Sequence, residues 1–235
     1  MWTDLDIMRL HVEAEFRHDS AGDLVATNES RAAVAPRFFL GQTGLGLVVR
    51  FRRDVAAIRR RALTNALTLV GRLPTAAQLD APLDPTPLER LLSEDAPIEH
   101  TSVGRAFRFP RVLRPVSGTR ILRDPPDAAM LHPLLAAWAP DIQSSPPLVA
   151  FIVDGQAVAI CGSVRITPRA HEAGVETAAP FRGRGYGKAV VAAWATAVRT
   201  LGVEPIYSTT WENDASRAVA RSLGLAPVGR DLHIR

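Results

Sequence analysis

The 235-residue sequence holds one cysteine, Cys161, and one lysine, Lys188. A lone cysteine excludes an intrachain disulfide and any multi-cysteine metal site, and no other metal-ligand cluster stands out in the sequence. Arginine supplies all remaining basic charge, in a chain rich in alanine, proline and leucine with a formal charge of +4 and a pI near 10.1. That bias reads as composition rather than as a binding surface. No apolar run approaches the roughly 20 residues needed to cross a bilayer. The start, "MWTDLDIMRL", lacks the basic and apolar segments of a signal peptide. A cytoplasmic protein with no membrane partner is therefore expected. What is present is ordinary for a globular chain, 47% apolar and 22% charged, long enough for one large domain or two small ones.

The densest basic stretch, "RFRRDVAAIRRR" at 50–61, raises a nucleic-acid partner. Arg59, Arg60 and Arg61 are consecutive, however, and on a helix they point about 100° apart and form no stripe. A solvated helix start is expected there, and a nucleic-acid partner is not.

Along the chain, Leu5, Met8, Val12 and Phe16 at spacings of three and four predict an amphipathic helix capped by Thr3 and Asp6. A turn follows at "HDSAGD". Residues 37–52 read as two strands around a glycine-rich turn. Asp54 is expected to cap a second helix whose face carries Val55, Ile58, Ala62, Ala66 and Leu69. Residues 74–97 are proline-rich and acidic, a connector with a helical turn at "PLERLL". This divides the chain into an N-terminal α/β region, 1–97, and a second domain, 98–235. In the latter, 107–114 is expected to be a strand and 127–138 a helix ended or kinked by Pro133. Two strands flank Asp154-Gly155, a strong hairpin signal. A third strand, "HEAGVETAA", precedes a helix closed by Gly202. Then come the strand "PIYSTTW", a helix between Asn213 and Gly224, and a last strand. The order β-β-β-α-β-α-β implies a mixed, mostly antiparallel sheet flanked by helices, of the α/β (α+β) class.

The segment "PFRGRGYGKAVV", Pro180 to Val191, places glycines and basic side chains directly before a helix. Glycines let backbone N–H groups approach a ligand, the helix start adds partial positive charge, and Arg182, Arg184 and Lys188 add full charges, all of which suits a phosphate. A P-loop is excluded because three residues, not four, separate Gly183 from Gly187-Lys188, and Ala189 follows where a hydroxyl is needed. A dinucleotide fingerprint is disfavoured by the G-x-G-x-G spacing and by the half-polar strand before it.

At these residues the sequence resembles the GNAT superfamily of acyl-coenzyme A-dependent N-acetyltransferases. Arg182, Gly185 and Gly187 match its Arg/Gln-x-x-Gly-x-Gly/Ala loop. "YSTTWENDASRAVARSLGL" matches its following strand and Asn-capped helix through Asn213, Ser216 and Gly224. The resemblance covers roughly 147–235. It implies a GNAT-like sheet whose strand before the loop splays from its neighbour, and acetyl-coenzyme A as cosubstrate. By the resemblance, Thr177, Ala178 and Ala179 contact pantetheine through their backbone. Arg182, Gly183, Arg184, Gly185, Tyr186, Gly187 and Lys188 hold the pyrophosphate, and Asn213 and Ser216 line the cofactor's other side.

The implied reaction is attack of a primary amine on the thioester, which needs a group to take the amine's proton. Glu172 and Glu176, on one face of the strand unless a bulge intervenes, are the candidates, with Glu176 preferred. Ala220 stands where many relatives have a tyrosine that protonates the leaving thiolate, so Tyr207, Ser208, Thr209 or water is expected to serve. His171 is an alternative relay at an exposed strand start. Cys161, Trp194 and Trp211 are expected in the core, with the Tyr186 ring packed against the protein. The missing tyrosine also allows a non-catalytic acyl-coenzyme A-binding module. The amine acceptor, whether small molecule or peptide, and a homodimer are left open, as is whether the N-terminal region completes the acceptor pocket or is a degenerate copy of the fold.

Overall fold

The computed structural model describes residues 2–69, 73–114 and 116–235, the side chains of 68 and 69 excepted. In chain order the elements are α1 (Asp4–Glu15), β1 (Phe16–His18), β2 (Leu24–Thr27), β3 (Phe38–Thr43), β4 (Gly46–Phe51), α2 (Ala57–Leu69), α3 (Ala76–Leu79), α4 (Thr86–Ser93) and β5 (Thr101–Arg108). They continue with β6 (Thr119–Leu122), α5 (Asp141–Ser144), β7 (Leu148–Val153), β8 (Gln156–Ile166), β9 (Ala170–Thr177), α6 (Tyr186–Thr200), β10 (Glu204–Thr210), α7 (Asp214–Ser222) and β11 (Ala226–Ile234). Two compact units divide the chain: Met1–Phe107 with Ser208–Asp214 and Pro227–Arg235, and Arg108–Tyr207 with Ala215–Ala226.

In the first unit, Thr3 caps α1 as expected. Its hydroxyl accepts from the Asp6 N–H at 3.2 Å, and its own N–H donates to Asp6 Oδ2 at 3.0 Å. The helix stops one residue short of the expected Phe16, which is extended (φ −134°) and opens β1 in antiparallel pairing with β2. The turn between β1 and β2 falls on "HDSAGD". The expected strands at 37–52 are β3 and β4, paired antiparallel, and β11 adds to the other side of β3 with Asp231 opposite Gly41 and His233 opposite Phe39. The strand order here is β4-β3-β11-β5.

Two expectations fail at α2. Asp54 does not cap it, because its carboxylate accepts from Arg52 Nε at 2.7 Å and Nη2 at 3.0 Å, and the helix begins only at Ala57. Ile58 is 70% exposed while Leu63 is buried, so the inward face is turned from the one expected; the side chain of Leu69 lies outside the described residues. The acidic connector holds two helices, α3 and α4, and α4 buries Leu88 and Leu92. Those leucines join Phe38, Leu40, Leu63, Leu232 and Ile234 in one core. Three arginines of the arginine-rich stretch have acidic partners: Arg52 pairs with Asp54, Arg59 bridges Glu94 and Asp95, and Arg60 meets Asp23 at 2.7 Å. Trp211, expected in the core, is half-buried with the Arg105 guanidinium 5.4 Å above its ring.

The second unit orders its strands β10-β9-β8-β7-β6. The pairs from β6 to β9 are antiparallel and β9–β10 is parallel, a mixed and mostly antiparallel arrangement. Of the expected strand at 107–114 only Phe107 and Arg108 are in a strand, the end of β5, which begins at Thr101; residues 109–114 form none. The expected helix at 127–138 is two 3₁₀ turns, Pro125–Met130 and Pro133–Trp138, because Pro133 cannot continue a helix and starts the second turn. The β7–β8 hairpin turns at Asp154 (φ 47°) and Gly155 (φ 80°) as its sequence predicts. Helix α6 packs across β7, β8 and β9 through Val190, Val191, Trp194, Ala195 and Val198. Each large apolar side chain so buried contributes about 1.5–3 kcal/mol.

Candidate functional site

The pairing of β9 is the feature around which the site is built. Its parallel ladder with β10 covers only Ala170–Glu172, opposite Glu204–Ile206. From Ala173 to Thr177 the strand continues for five residues with ladder partners, among the described residues, on β8 alone. One edge of β9 there presents backbone donors and acceptors that another extended chain can meet. The strand leads through a short 3₁₀ turn, Ala179–Phe181, into the glycine loop and α6.

Gly185 caps α6 in the left-handed region at φ 83°, where a side chain would be strained. The first bond across the helix start runs from Ala189 N–H to Gly185 O at 3.1 Å. The N–H groups ahead of it therefore point out of the helix start, as a free N-terminus requires. Residues 182–185 and Lys188 are exposed, so these amides and the helix's positive end face solvent beside cationic side chains. The loop is anchored by rings. Tyr186 stacks on Phe151 with centroids 4.4 Å apart, packed as expected, and the Arg184 guanidinium lies 5.4 Å from the Phe181 ring. Gly187 sits where the helix crosses β9: a Cβ there would lie 3.2 Å from Thr177 Oγ1.

The backbone groups expected to meet pantetheine are not all available. Ala178 N–H donates to Val158 O at 3.0 Å and its side chain is buried, so it faces the core. Thr177 O accepts from Arg182 Nε at 3.1 Å, and Ala179 is exposed. Asn213 directly precedes α7, and Ser216 lies in its first turn with its carbonyl accepting the Tyr207 hydroxyl at 3.2 Å.

The two glutamates differ sharply. Glu172 is fully buried and accepts from Arg165 Nη1 at 2.9 Å. Glu176 is exposed on the open stretch of β9, and Trp138 Nε1–H donates to its Oε2 at 2.7 Å. The β8–β9 register shifts between Ser163 and Arg165, which leaves Glu172 opposite Arg165 and Glu176 opposite Ile160. Trp138 was not singled out by the sequence. It reaches Glu176 by lying over Gly162 and Gly174, an opposed pair on β8 and β9 where any Cβ would come within about 3.2 Å of the indole. Two facing glycines were the one signal that a ring lies there.

Tyr207 is 1% exposed, and burial pushes its phenol up to about 12 against the smaller opposing effect of the Ser216 hydrogen bond. His171, expected at an exposed strand start, is instead buried with Nδ1 3.0 Å from Ser163 Oγ, and burial lowers its pKa. Ser163 Oγ also accepts from the fully buried Trp194 at 3.1 Å. Cys161 lies in the core, where burial raises its thiol well above the ordinary value. Ala220 is buried.

Residues 119–225, a little under half the chain, match the model of the acetyltransferase (GNAT) family. No curated protein matches the sequence. Among solved structures, a GNAT-family acetyltransferase from Colwellia psychrerythraea is 14% identical, with 86% of this chain and 81% of that one covered and a TM-score of 0.51, a likeness of fold. A GCN5-related N-acetyltransferase from Kribbella flavida is 18% identical, covering 86% of this chain and 87% of its own at a TM-score of 0.48. A GNAT-family protein from Novosphingobium aromaticivorans DSM 12444 is 19% identical at a TM-score of 0.48 over 58% of this chain, and the match spans 65% of that protein's length.

Proposed function

We propose that this chain, a member of the GNAT acetyltransferase superfamily through residues 119–225, moves an acetyl group from acetyl-coenzyme A to a primary amine. The observation that carries this reading is the unpaired edge of β9 at Ala173–Thr177 running into a glycine-capped helix start. An extended pantetheine arm fits the first, and a pyrophosphate fits the second. Gly183, Gly185 and Gly187 with Tyr186 shape the phosphate cradle, and Arg182, Arg184 and Lys188 supply charge around it. Arg182 would leave the Thr177 carbonyl to do so. Bound there, acetyl-coenzyme A supplies an activated acyl thioester.

Glu176 is the group that takes the amine's proton, held by the Trp138 indole on the exposed stretch of β9. A free N–H on that edge is suited to the charge that grows on the acyl oxygen. Glu172, buried against Arg165, holds β8 to β9 beyond the register shift rather than touching substrate. Tyr207 is a poor donor to the departing thiolate, because a phenol held near 12 is a far weaker acid than a thiol of about 8.5. Water serves that step. The buried Ala220 in the usual tyrosine's place keeps a second reading alive, a non-catalytic acyl-coenzyme A-binding module.

The test is a calorimetric titration of acetyl-coenzyme A into wild type and Glu176→Gln, followed by turnover on a panel of small and peptide amines. Equal binding with a loss of turnover of about 10²–10⁴-fold in the variant supports the enzyme. Binding without turnover on any amine would favour the non-catalytic module. No binding to wild type would overturn both.

A further inference from the structure

Far from β9 in sequence, the first unit brings together two histidines and an aspartate contributed by the two ends of its chain. His11 lies in the third turn of α1, and Asp231 and His233 are two apart on β11, so they leave the same face of that strand. His11 Nε2 is 3.6 Å from Asp231 Oδ2, and His233 Nε2 is 3.1 Å from Asp231 Oδ1. One donor atom from each of the three falls within 4.8 Å of the others. His11 and Asp231 are almost wholly buried, and His233 keeps about a fifth of its side chain in contact with solvent.

The alignment of these groups matters more than their proximity. Among the described residues, neither Asp231 Oδ2 nor His233 Nε2 has a partner that meets hydrogen-bond geometry, although both are buried. A carboxylate oxygen and an imidazole nitrogen 3.1 Å apart, the nitrogen short of hydrogen-bond geometry, are close enough to share a third atom as ligands. Co-ligands at about 2.0–2.2 Å from one tetrahedral ion lie some 3.3 Å apart, and the two measured separations bracket that value. Leaving such groups unsatisfied in a dry site would be costly.

We propose that His11, Asp231 and His233 bind a borderline divalent cation of the zinc type, as a site that ties α1 to β11. Two imidazoles and a carboxylate form a donor set that zinc accepts, with a further position for water. The surroundings fit such a site. The Phe16 and Phe39 rings lie 5.2 and 5.1 Å from the His233 ring and keep the site apolar. Glu15, one turn beyond His11 on α1 and buried, brings a carboxylate oxygen within 4.8 Å of a His11 ring nitrogen, so a carboxylate stands beside the ligating imidazole, where outer carboxylates tune metal sites. The exposed edge of His233 is a route of entry. The proposal does not depend on the acyl-transfer reading.

The experiment uses the full chain, stripped with chelator and titrated with Co²⁺ as an optical probe and Zn²⁺ as competitor. One equivalent of Co²⁺ is expected to develop the visible absorption of a four- or five-coordinate ion, and one equivalent of Zn²⁺ to displace it. His233→Ala and Asp231→Asn are expected to weaken binding at least about 100-fold, Glu15→Gln about 10–100-fold, and His100→Ala, which removes an exposed imidazole elsewhere, not at all. X-ray absorption of the zinc-loaded wild type, which needs no variant, is expected to count two imidazoles and one carboxylate. Absence of stoichiometric binding, an octahedral all-oxygen spectrum, or binding unchanged in folded His233→Ala and Asp231→Asn would each overturn the site and leave the cluster as an ion pair.

Discussion

Tyr207 puts a phenol almost wholly out of contact with water, where the Ser216 carbonyl accepts its hydrogen bond. Its pKa is about 12 in the folded chain against an ordinary 10, so the native state holds that proton more tightly than the unfolded one. The stability this represents is complete below pH 10 and is lost as pH rises through 12. Between pH 8 and about pH 11.5 wild type is expected to lose about 2 kcal/mol relative to Tyr207→Phe, read from urea midpoints of both proteins. The variant itself, short of one hydrogen bond, is expected to start about 1 kcal/mol lower at pH 8. Parallel losses in the two proteins would show that the phenol is not the group responsible. Position alone could not reveal this environment. Sequence order located Tyr207 on a strand after the loop, but whether its hydroxyl meets solvent or a carbonyl depends on where α7 comes to rest.

At the scale of elements, the crossing of α6 over β9 carries the most consequence, because it sets the loop's position against the open edge of the strand. Gly187 allows the contact, and a branched side chain there would meet Thr177 and, at 4.0 Å, Val175 and Val219. Gly187→Val is expected to lower stability by about 1–3 kcal/mol through overpacking and to weaken acetyl-coenzyme A binding, measured by denaturant unfolding and calorimetry. Unchanged stability would mean the helix can shift without cost. Elements with local signals were legible: the Thr3 cap, the Asp154-Gly155 turn, the glycine loop and the strands around it. Those specified by distant partners were not. Phe16 fits a helical spacing yet joins β1 because β2 is there to pair with it, and Ile58 fits the same periodicity yet faces water because the core lies under Leu63. Residues 127–138 contain helix formers, but Pro133 limits them to short 3₁₀ turns.

At the scale of the whole molecule, the chain returns at its end to where it began. β11 pairs with β3, and Leu232 and Ile234 share a core with Phe38 and Leu92. A division at 97/98, which the acidic connector suggests, separates β3 from that partner and removes β5 as well. The fragment 1–97 is expected to lack a cooperative unfolding transition alone and to recover one when 98–235 is added, as followed by circular dichroism. Independent folding of 1–97 would establish that segment as a domain of its own.

The sequence alone determined what depends on neighbours along the chain: the mixed α/β character, the glycine loop before a helix, and the family resemblance behind the proposed acyl-coenzyme A site. These rest on spacing, turn chemistry and helix ends, each a matter of a few adjacent residues. Tertiary structure alone decided which glutamate is open and which is buried, that an unremarked tryptophan holds Glu176, and that His11 meets Asp231 and His233 across some 220 positions. A side chain's chemistry is set by the groups and the water around it, and those are chosen when separate segments pack together.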